Sequence, residues 1–303
     1  MTAAKKRILI TGVSGQVGGA LLPRFQDQDV IAADRAVIDL ARPDAIAPIL
    51  DALRPSIIIN PAAYTAVDQA ESQPDLAALV NAVAPGVIAR WAAERRVPFI
   101  HFSTDYVFDR RGDTPWQEDD ATNPLSVYGR TKLEGEQAVR AAGGISLIVR
   151  TSWIYAATGK NFLRTIAHLA RERGELRIVS DQFGAPTPAA LIADSVKTML
   201  GDDVEIFQSR CVQCNGVVHL AASGEASWHG FACAIVEGLR QRGVKLGAEK
   251  IVPIKTEDYP TPARRPRNSR LDLGRLGQVF AVTTPHWRDA LAPELAALAI
   301  ELQ

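Results

Sequence analysis

The sequence predicts an α/β protein with a doubly wound parallel sheet and a smaller, interleaved C-terminal lobe. Two observations carry this prediction. Short apolar runs rich in β-branched residues alternate with longer segments of helical period, which is typical of parallel strands covered by helices on both faces. A glycine-rich turn also follows the first apolar run, where a doubly wound sheet places its ligand-binding turn.

The elements follow in chain order. Strands are predicted over residues 7–12, 29–34, 56–63, 98–108 and 146–156, with shorter ones at 176–179 and 216–223. Helical spacing of apolar residues occurs in 18–26, 45–54, 78–96, 162–174 and 189–200. A further helix begins at Tyr128, and a final amphipathic helix begins at about Trp287.

Charge and cysteine content exclude several classes of protein. Among 303 residues, 34 basic and 34 acidic side chains cancel, so the chain has no electrostatic reason to bind nucleic acid or an anionic membrane. No apolar stretch approaches the roughly 20 residues of a membrane span, and the N-terminus lacks a signal-peptide core. Three cysteines make no disulfide framework in a chain of this size. We therefore expect a cytoplasmic protein.

The glycine turn predicts a dinucleotide site. Gly12, Gly15 and Gly18 lie between the first strand and the first helix, in a G-x-x-G-x-x-G variant of the dinucleotide fingerprint. A P-loop is excluded because no Gly-Lys-Ser/Thr is present, and a hydrolase elbow because Ser14 is followed at once by Gly15. We expect residues 1–152, rejoined by 215–222, to form an NAD(P)-binding Rossmann domain, and 153–303 to form mainly a substrate-binding lobe.

The end of the second strand bears on the choice of cofactor. Asp34 is placed to accept hydrogen bonds from the adenosine ribose of NAD, whereas Arg35 is placed to pair with the 2′-phosphate of NADP. Asp39 and Leu40 follow and are expected near the adenine. The residues therefore support NADH, NADPH or both.

A hydroxyl, a phenol and an ammonium form the predicted catalytic set. Thr104 ends a buried strand, and Tyr128 and Lys132 lie one helical turn apart. In carbonyl reduction Thr104 would hold the oxygen, Tyr128 would protonate it, and the cofactor would supply hydride. We expect the Lys132 ammonium to lower the pKa of Tyr128, and Gly129 to leave room for cofactor or substrate.

At this point the chain resembles the extended short-chain dehydrogenases/reductases and, among them, the dTDP-4-dehydrorhamnose reductase family. The Tyr-x-x-x-Lys pair is shared by the superfamily, whereas "AAYTAVDQAE", "STDYVFD" and "SDQFGAPT" point to this family. Matching motifs span nearly the whole chain. One departure is Asn60-Pro61-Ala62, where the family usually reads Asn-Ala-Ala. Proline removes a backbone donor there.

The resemblance implies an activity and a set of site residues. The activity is NAD(P)H-dependent reduction of the C4 ketone of dTDP-6-deoxy-L-lyxo-4-hexulose to dTDP-L-rhamnose. Cofactor contacts are implied for Gly12, Gln16, Val17, Asp39, Leu40, Ala62, Ala63 and Tyr64, chemistry for Thr104, Tyr128 and Lys132, and sugar contacts for Val67, Asp68, Asp105, Tyr106 and Trp153. Some members are associated with Mg²⁺ at a homodimer contact, and the sequence gives no residues on which to place it.

The residue types of the remaining motifs indicate the following roles. Cys211 and Cys214 lack a second cysteine pair, which argues against zinc, and His219 lies in an apolar run typical of a packed core. The loop arginines, Arg265 among them, suit a nucleotide-sugar diphosphate. Trp153 suits a platform for a sugar ring, and residues 117–120 are expected to form a solvated loop.

Two other functions stay open. One is reduction or epimerisation of another nucleotide sugar. The other is a non-catalytic regulatory subunit of the same fold, which the presence of the threonine, the tyrosine and the lysine disfavours.

Overall fold

A computed structural model describes residues 5–109 and 112–303. The strands are β1 (Arg7–Thr11), β2 (Asp29–Ala33), β3 (Ile57–Asn60), β4 (Phe99–Thr104), β5 (Ser146–Thr151), β6 (Ile154–Tyr155), β7 (Glu175–Val179), β8 (Phe183–Gly184), β9 (Thr187–Pro188), β10 (Val217–His219), β11 (Ala226–Ser227) and β12 (Lys250–Ile254). The helices are α1 (Gln16–Leu21), α2 (Pro43–Leu53), α3 (Val67–Ala70), α4 (Pro74–Ala78), α5 (Ala84–Arg95), α6 (Val127–Ala141), α7 (Phe162–Glu172), α8 (Ala189–Leu200), α9 (Val204–Gln213), α10 (Trp228–Gln241), α11 (Gly274–Phe280) and α12 (Trp287–Leu302).

A parallel sheet with strand order β10-β5-β4-β3-β1-β2 forms the centre of the fold. Each neighbouring pair in it is parallel, and the order reverses between β1 and β3. Ligands of doubly wound sheets bind beyond the carboxyl ends of the strands at this reversal. The predicted fold class is confirmed.

Apolar clusters cover both faces of this sheet, as the near-continuous hydrophobic strands require. On one face, Ile8 and Ile10 of β1 pack with Phe102 of β4. On the other, Leu9 of β1 packs with Ile58 of β3. Two helices from later in the chain, α8 and α9, complete the first face with apolar side chains that include Ile192 and Phe207. The sheet lobe therefore takes in more of the C-terminal half than β10 alone.

A second core lies between α7, α10 and α12. Leu163, Phe231 and Leu295 are buried there with Tyr155 and Trp287. The small parallel pair β7 and β12 lies against α10. Several elements are additions to those that the sequence predicts: the helices α3, α4, α9, α10 and α11 and the strands β8, β9, β11 and β12.

One continuous helical stretch, 74–95, joins α4, a π-helical turn (Leu79–Val83) and α5. Within the described residues it alone is long and apolar enough to cross a membrane by composition, so the expectation that no such stretch exists was wrong. Of its most apolar window, 61% is buried inside the protein, which is the usual reason for such a composition in a core helix.

Candidate active site

The glycine turn holds β1, α1 and the segment after β3 in close contact. Gly12 adopts a φ of +58°, which favours glycine, and the Gly15 N–H donates to its carbonyl at 2.9 Å. A Cβ on Gly12 would lie 2.8 Å from the Ala62 Cα, and one on Gly18 would collide with the Gly12 carbonyl. Both glycines are therefore required by backbone packing.

This turn offers an unsatisfied acceptor. Gln16 begins α1, and its Oε1 is buried without a hydrogen-bond partner among the described residues. A buried acceptor without a donor is unfavourable, and a bound nucleotide would relieve it. The glycine cradle and Gln16 together fit an NAD(P) cofactor, with Val17 buried just behind them.

The residues predicted to contact the adenosine follow the end of β2. Asp34 is exposed, and its Oδ1 accepts from the N–H groups of Ala36 at 2.9 Å and Val37 at 3.2 Å. Arg35 is exposed beside it. Asp39 makes the same type of turn, because its Oδ1 accepts from Ala41 N at 3.0 Å, and Leu40 is buried.

A side chain that the sequence reasoning missed secures the segment after β3. Asn81 is fully buried in the π-helical turn. Its Oδ1 accepts from Tyr64 N at 2.8 Å, and its Nδ2 donates to Tyr64 O and to Thr131 Oγ1, both at 3.2 Å. Asn81 therefore ties the predicted cofactor segment to α6. A π-turn has no simple apolar period, so the sequence carried no signal for this role.

Helix α6 begins one residue earlier than predicted, at Val127, because Ser126 is its N-cap and accepts from Gly129 N at 3.1 Å. Glu71 accepts from Val127 N at 2.8 Å. A Cβ on Gly129 would collide with the Tyr106 carbonyl. The expectation that Gly129 leaves room for a ligand was therefore wrong, because its missing side chain lets α6 pack against the end of β4.

Thr104 and Tyr128 meet at the mouth of the crevice. Thr104 ends β4, and its Oγ1 donates to Asp105 Oδ1 at 3.1 Å. Burial raises the pKa of Tyr128 to about 12, the nearby Thr104 hydroxyl opposes this shift, and the Asp105 charge adds to it. The predicted lowering by Lys132 was wrong for the protein alone, because burial dominates.

Asp105 is a buried carboxyl beside this pair. Burial raises its pKa to about 6, while the hydroxyls of Ser269 and Thr104 oppose the shift. Tyr106 packs edge-on against Tyr128, with ring centroids 5.5 Å apart. Burial also raises the pKa of Tyr106. The pocket is therefore lined by a weak acid and two neutral phenols.

Lys132 is buried under the same turn of α6 and is not part of a solvated face. Its Nζ donates to the Phe102 carbonyl at 2.5 Å. Burial lowers its pKa to about 8, and Glu136 on the same helix acts in the opposite direction. The lysine therefore holds its proton only weakly.

The predicted substrate side is assembled from distant segments. Asp68 on α3 receives two hydrogen bonds from Arg265, at 3.1 Å to Oδ1 and 2.7 Å to Oδ2. Val67 precedes Asp68 on the same helix. Arg265 faces Asp68 and contributes to the charge environment of Tyr106, so these residues lie on the catalytic side of the crevice.

Trp153 has a φ of +47° and stacks on Trp228, with centroids 3.5 Å apart. A Cβ on Gly184 would lie 2.6 Å from its Cε2 atom. Much of the indole is therefore covered by protein, and its role as a sugar platform stays a prediction.

The remaining motifs lie away from this crevice. Cys211 and Cys214 are buried, and burial raises the pKa of both thiols. No group of three or more His, Cys, Asp or Glu in residues 5–109 and 112–303 is arranged to hold a metal ion. The solvated-loop expectation for 117–120 was wrong for Glu118, which is buried and accepts from His219 N at 3.0 Å.

Comparisons with known proteins agree with this geometry. The profile of the family described as "RmlD substrate binding domain" matches residues 6–300. The dTDP-4-dehydrorhamnose reductase of Burkholderia thailandensis is 46% identical over 290 residues, which are 94% of this chain and 96% of that protein. That of Shigella flexneri is 44% identical over 287 residues, or 93% and 94%.

A solved structure also matches over nearly its full length. The dTDP-4-dehydrorhamnose reductase of Bacillus anthracis in complex with NADP has a TM-score of 0.87 and 30% identity, and the match covers 96% of this chain and 99% of that one.

Proposed function

The chain belongs to the RmlD family, whose close relatives are dTDP-4-dehydrorhamnose reductases, and from that membership we propose that it performs their reaction. The reaction is NAD(P)H-dependent reduction of the C4 ketone of dTDP-6-deoxy-L-lyxo-4-hexulose to dTDP-L-rhamnose, the last step of dTDP-rhamnose synthesis. The observation that carries the proposal is the convergence of Thr104 at the end of β4 with Tyr128 and the buried Lys132, which lie one turn apart on α6.

Each catalytic side chain has one role in this proposal. NAD(P)H, when bound, supplies a hydride to the C4 carbon. The Thr104 hydroxyl holds the ketone oxygen, and the Tyr128 hydroxyl gives that oxygen its proton. Lys132 stabilises the phenolate that Tyr128 then carries. One hydride and one proton convert the ketone to an alcohol, so the reaction is balanced.

We propose that the cofactor binds in the crevice where the strand order of the sheet reverses. We assign its contacts to Gly12, Gly15, Gln16, Val17, Gly18, Asp34, Arg35, Asp39, Leu40, Ala62, Ala63, Tyr64, Tyr128 and Lys132. The turn amides already occupy Oδ1 of Asp34, and the exposed Arg35 suits a 2′-phosphate. We therefore propose that NADPH binds at least as well as NADH.

The substrate contacts are proposed at the end of β4, at the start of α6, and on the segments that face them across the crevice. They comprise Val67, Asp68, Thr104, Asp105, Tyr106, Tyr128, Trp153 and Arg265. The Arg265 guanidinium is the proposed partner of the diphosphate, because it is cationic and bidentate. Binding of substrate would then compete with the Asp68 carboxylate for this arginine.

The wider setting is also proposed. We propose that residues 1–152 with 215–222 form the cofactor domain, against whose sheet α8 and α9 also pack. Residues 153–303 otherwise form mainly the substrate lobe in this proposal, which the separate core of α7, α10 and α12 supports. The three cysteines are free, which suits the reducing cytoplasm. A homodimer is proposed from the family resemblance, and we assign no Mg²⁺ site.

The test is the loss of NADPH absorbance when the purified protein meets dTDP-6-deoxy-L-lyxo-4-hexulose, with the D-xylo epimer as control. We expect consumption only with the L-lyxo sugar. Consumption with neither sugar, in a protein that binds NADPH, would contradict the proposal and favour another nucleotide sugar or a regulatory role.

A further inference from the structure

Four buried polar side chains form a continuous chain beneath the proposed active site. Thr11 Oγ1 lies 2.5 Å from Asn60 Oδ1, Asn60 Nδ2 lies 3.1 Å from His101 Nδ1, and His101 Nε2 lies 3.4 Å from Lys132 Nζ. Thr11 and Lys132 are 2% exposed, and Asn60 and His101 are 0% exposed. The chain therefore contacts no solvent between the glycine turn and the catalytic lysine.

The chain crosses the centre of the sheet. Thr11, Asn60 and His101 lie on three adjacent strands, β1, β3 and β4, near the carboxyl ends that face the crevice. Thr11 directly precedes Gly12, whose φ shapes the glycine turn. Three contacts thus link the cofactor cradle to Lys132 through rigid elements.

His101 is held as a neutral imidazole. Burial lowers its pKa well below the ordinary value, and the charge of Lys132 acts in the same direction. A neutral imidazole has one donor nitrogen and one acceptor nitrogen, and an amide also has one end of each kind. The chain therefore has to run in one of two directions.

The two directions correspond to the two charge states of Lys132. An ammonium donates to His101 Nε2, so that Nδ1–H donates to the Asn60 oxygen. A neutral amine accepts from Nε2–H, so that Nδ1 accepts from the Asn60 nitrogen. Thr11 donates to the Asn60 oxygen and the Asn60 nitrogen faces His101 Nδ1, so the structure has the second arrangement. A half-turn of the Asn60 amide converts it to the first.

We propose that His101, held by Asn60 and Thr11, is a positioning residue that keeps Lys132 Nζ under the cofactor site and, after the half-turn of Asn60, supports it as an ammonium during reduction. The proposal rests on the proposed function. It assigns a role to three side chains that neither the glycine fingerprint nor the Tyr-x-x-x-Lys pair includes.

The charged and titratable groups around Lys132 leave this role to His101. On the lysine's own helix, Tyr128 lies one turn before it, and Glu136 lies one turn after and is paired with Arg150 of β5 at 2.9 and 2.7 Å. On β4, the Phe102 carbonyl takes one Nζ proton, and Asp105 lies beyond Thr104 against the phenol. His101 is the remaining neighbour that can accept from Nζ.

Four variants separate positioning from structural support. His101→Leu removes the acceptor, and His101→Gln restores an oxygen near the position of Nε2. Thr11→Val removes one hydroxyl at the far end while keeping the side-chain shape. His219→Leu is the matched control, because His219 is an equally buried histidine on β10 that takes no part in the hydrogen-bonded row of Thr11, Asn60, His101 and Lys132.

We expect the loss of turnover to be larger for a residue next to Lys132 than for one at the far end of the hydrogen-bonded row. His101→Leu should lower kcat by about 30-fold, in the range seen when a supporting partner is lost, with the KM for the sugar changed by less than about threefold. Thr11→Val should lower kcat by about threefold. His101→Gln should recover most of the loss, and His219→Leu should lose melting temperature and keep kcat.

The pH dependence gives a readout that a structural role would not move. Loss of the acceptor makes the ammonium less stable, so the alkaline limb of kcat should move to lower pH by about half a unit or more in His101→Leu. An unchanged limb and unchanged kcat in both His101→Leu and Thr11→Val would overturn the proposal. If His101→Leu does not fold, Thr11→Val alone decides in the same way.

A titration of the Lys132 ¹³Cε resonance, assigned with Lys132→Met, separates this inference from the proposed function. A wild-type protein without turnover would refute the function, yet the Lys132 pKa can still be compared between variants. A lower Lys132 pKa in His101→Leu or Thr11→Val than in wild type and His219→Leu supports the proposed role of His101. Equal values in all of them overturn it.

Discussion

The floor and the proposed substrate wall of the crevice are built in different ways. The floor comprises the ends of β1, β3 and β4 with the first turns of α6, and its polar groups, such as Lys132, are buried and held by neighbouring strands. The wall comprises α3 and the loop around Arg265, whose ion pair with Asp68 joins residues 197 positions apart and is 24% and 40% exposed. The floor is preorganised for chemistry, whereas the wall is held by a contact that a charged substrate can replace.

Removal of the proton donor should have the largest effect and tests whether the floor does the chemistry. Tyr128→Phe should lower kcat by about 10³-fold, because a positioned general acid contributes about this much. Binding of NADPH, followed by fluorescence titration, should change by less than about twofold because only a hydroxyl is lost. Near-normal turnover would remove Tyr128 from the mechanism.

Burial of Asp105 in the floor should cost stability at neutral pH. Its pKa is raised from 3.8 to about 6, so the folded state binds the proton more tightly and the free energy of unfolding falls as pH rises through this interval. The full effect is about 3 kcal/mol. Urea unfolding of wild type and Asp105→Asn at pH values below and above the interval measures it.

The variant serves as its own control in that comparison. Asp105→Asn should lose this pH dependence and gain relative to wild type above about pH 6. The same pH dependence in both proteins would show that the Asp105 carboxyl is not held in a desolvated site.

A substitution in the wall should weaken substrate binding more than it slows the chemical step. Arg265→Ala should raise the KM for the nucleotide sugar by about tenfold and leave the KM for NADPH unchanged, because a bidentate cation is lost. Arg264→Ala is the matched control, since Arg264 is adjacent and exposed. Equal effects of both substitutions would mean that Arg265 acts only through general charge.

The adenosine end of the floor should show the smallest effect. Asp34→Ala should weaken NADH binding about threefold more than NADPH binding, because the ribose hydroxyls of NADH lose an acceptor. Dissociation constants for both cofactors measure this difference. Equal losses would take Asp34 out of the ribose site.

The same contrast explains what the sequence could predict. Strand periodicity, helical spacing and glycine spacing are local, so they placed Gly12 and Thr104 at the carboxyl ends of central strands and Tyr128 at the start of a helix. The Asp68–Arg265 pair and the burial of Glu118 depend on contacts across more than a hundred positions, and no local pattern encodes them.

One wrong prediction came from a balance of opposing effects, and a second came from a tertiary contact. The direction of the pKa shift of Tyr128 depends on whether burial outweighs the effect of nearby charges. A sequence alone does not give the burial of a single side chain. Gly129 has a packing role because the Tyr106 carbonyl approaches it, which is a tertiary contact. His101 lay inside a predicted strand, and only the register of β3 and β4, which pairs it with Asn60, brings the buried chain together.

The most direct test of the central claim is to follow the hydride itself. Wild-type protein is incubated with [4-²H]NADPH and dTDP-6-deoxy-L-lyxo-4-hexulose, and the product is analysed by NMR and mass spectrometry. We expect dTDP-L-rhamnose that carries deuterium at C4 when the transferred position of the cofactor is labelled. Rhamnose without deuterium at C4, or oxidation of the cofactor without a rhamnose product, would contradict it.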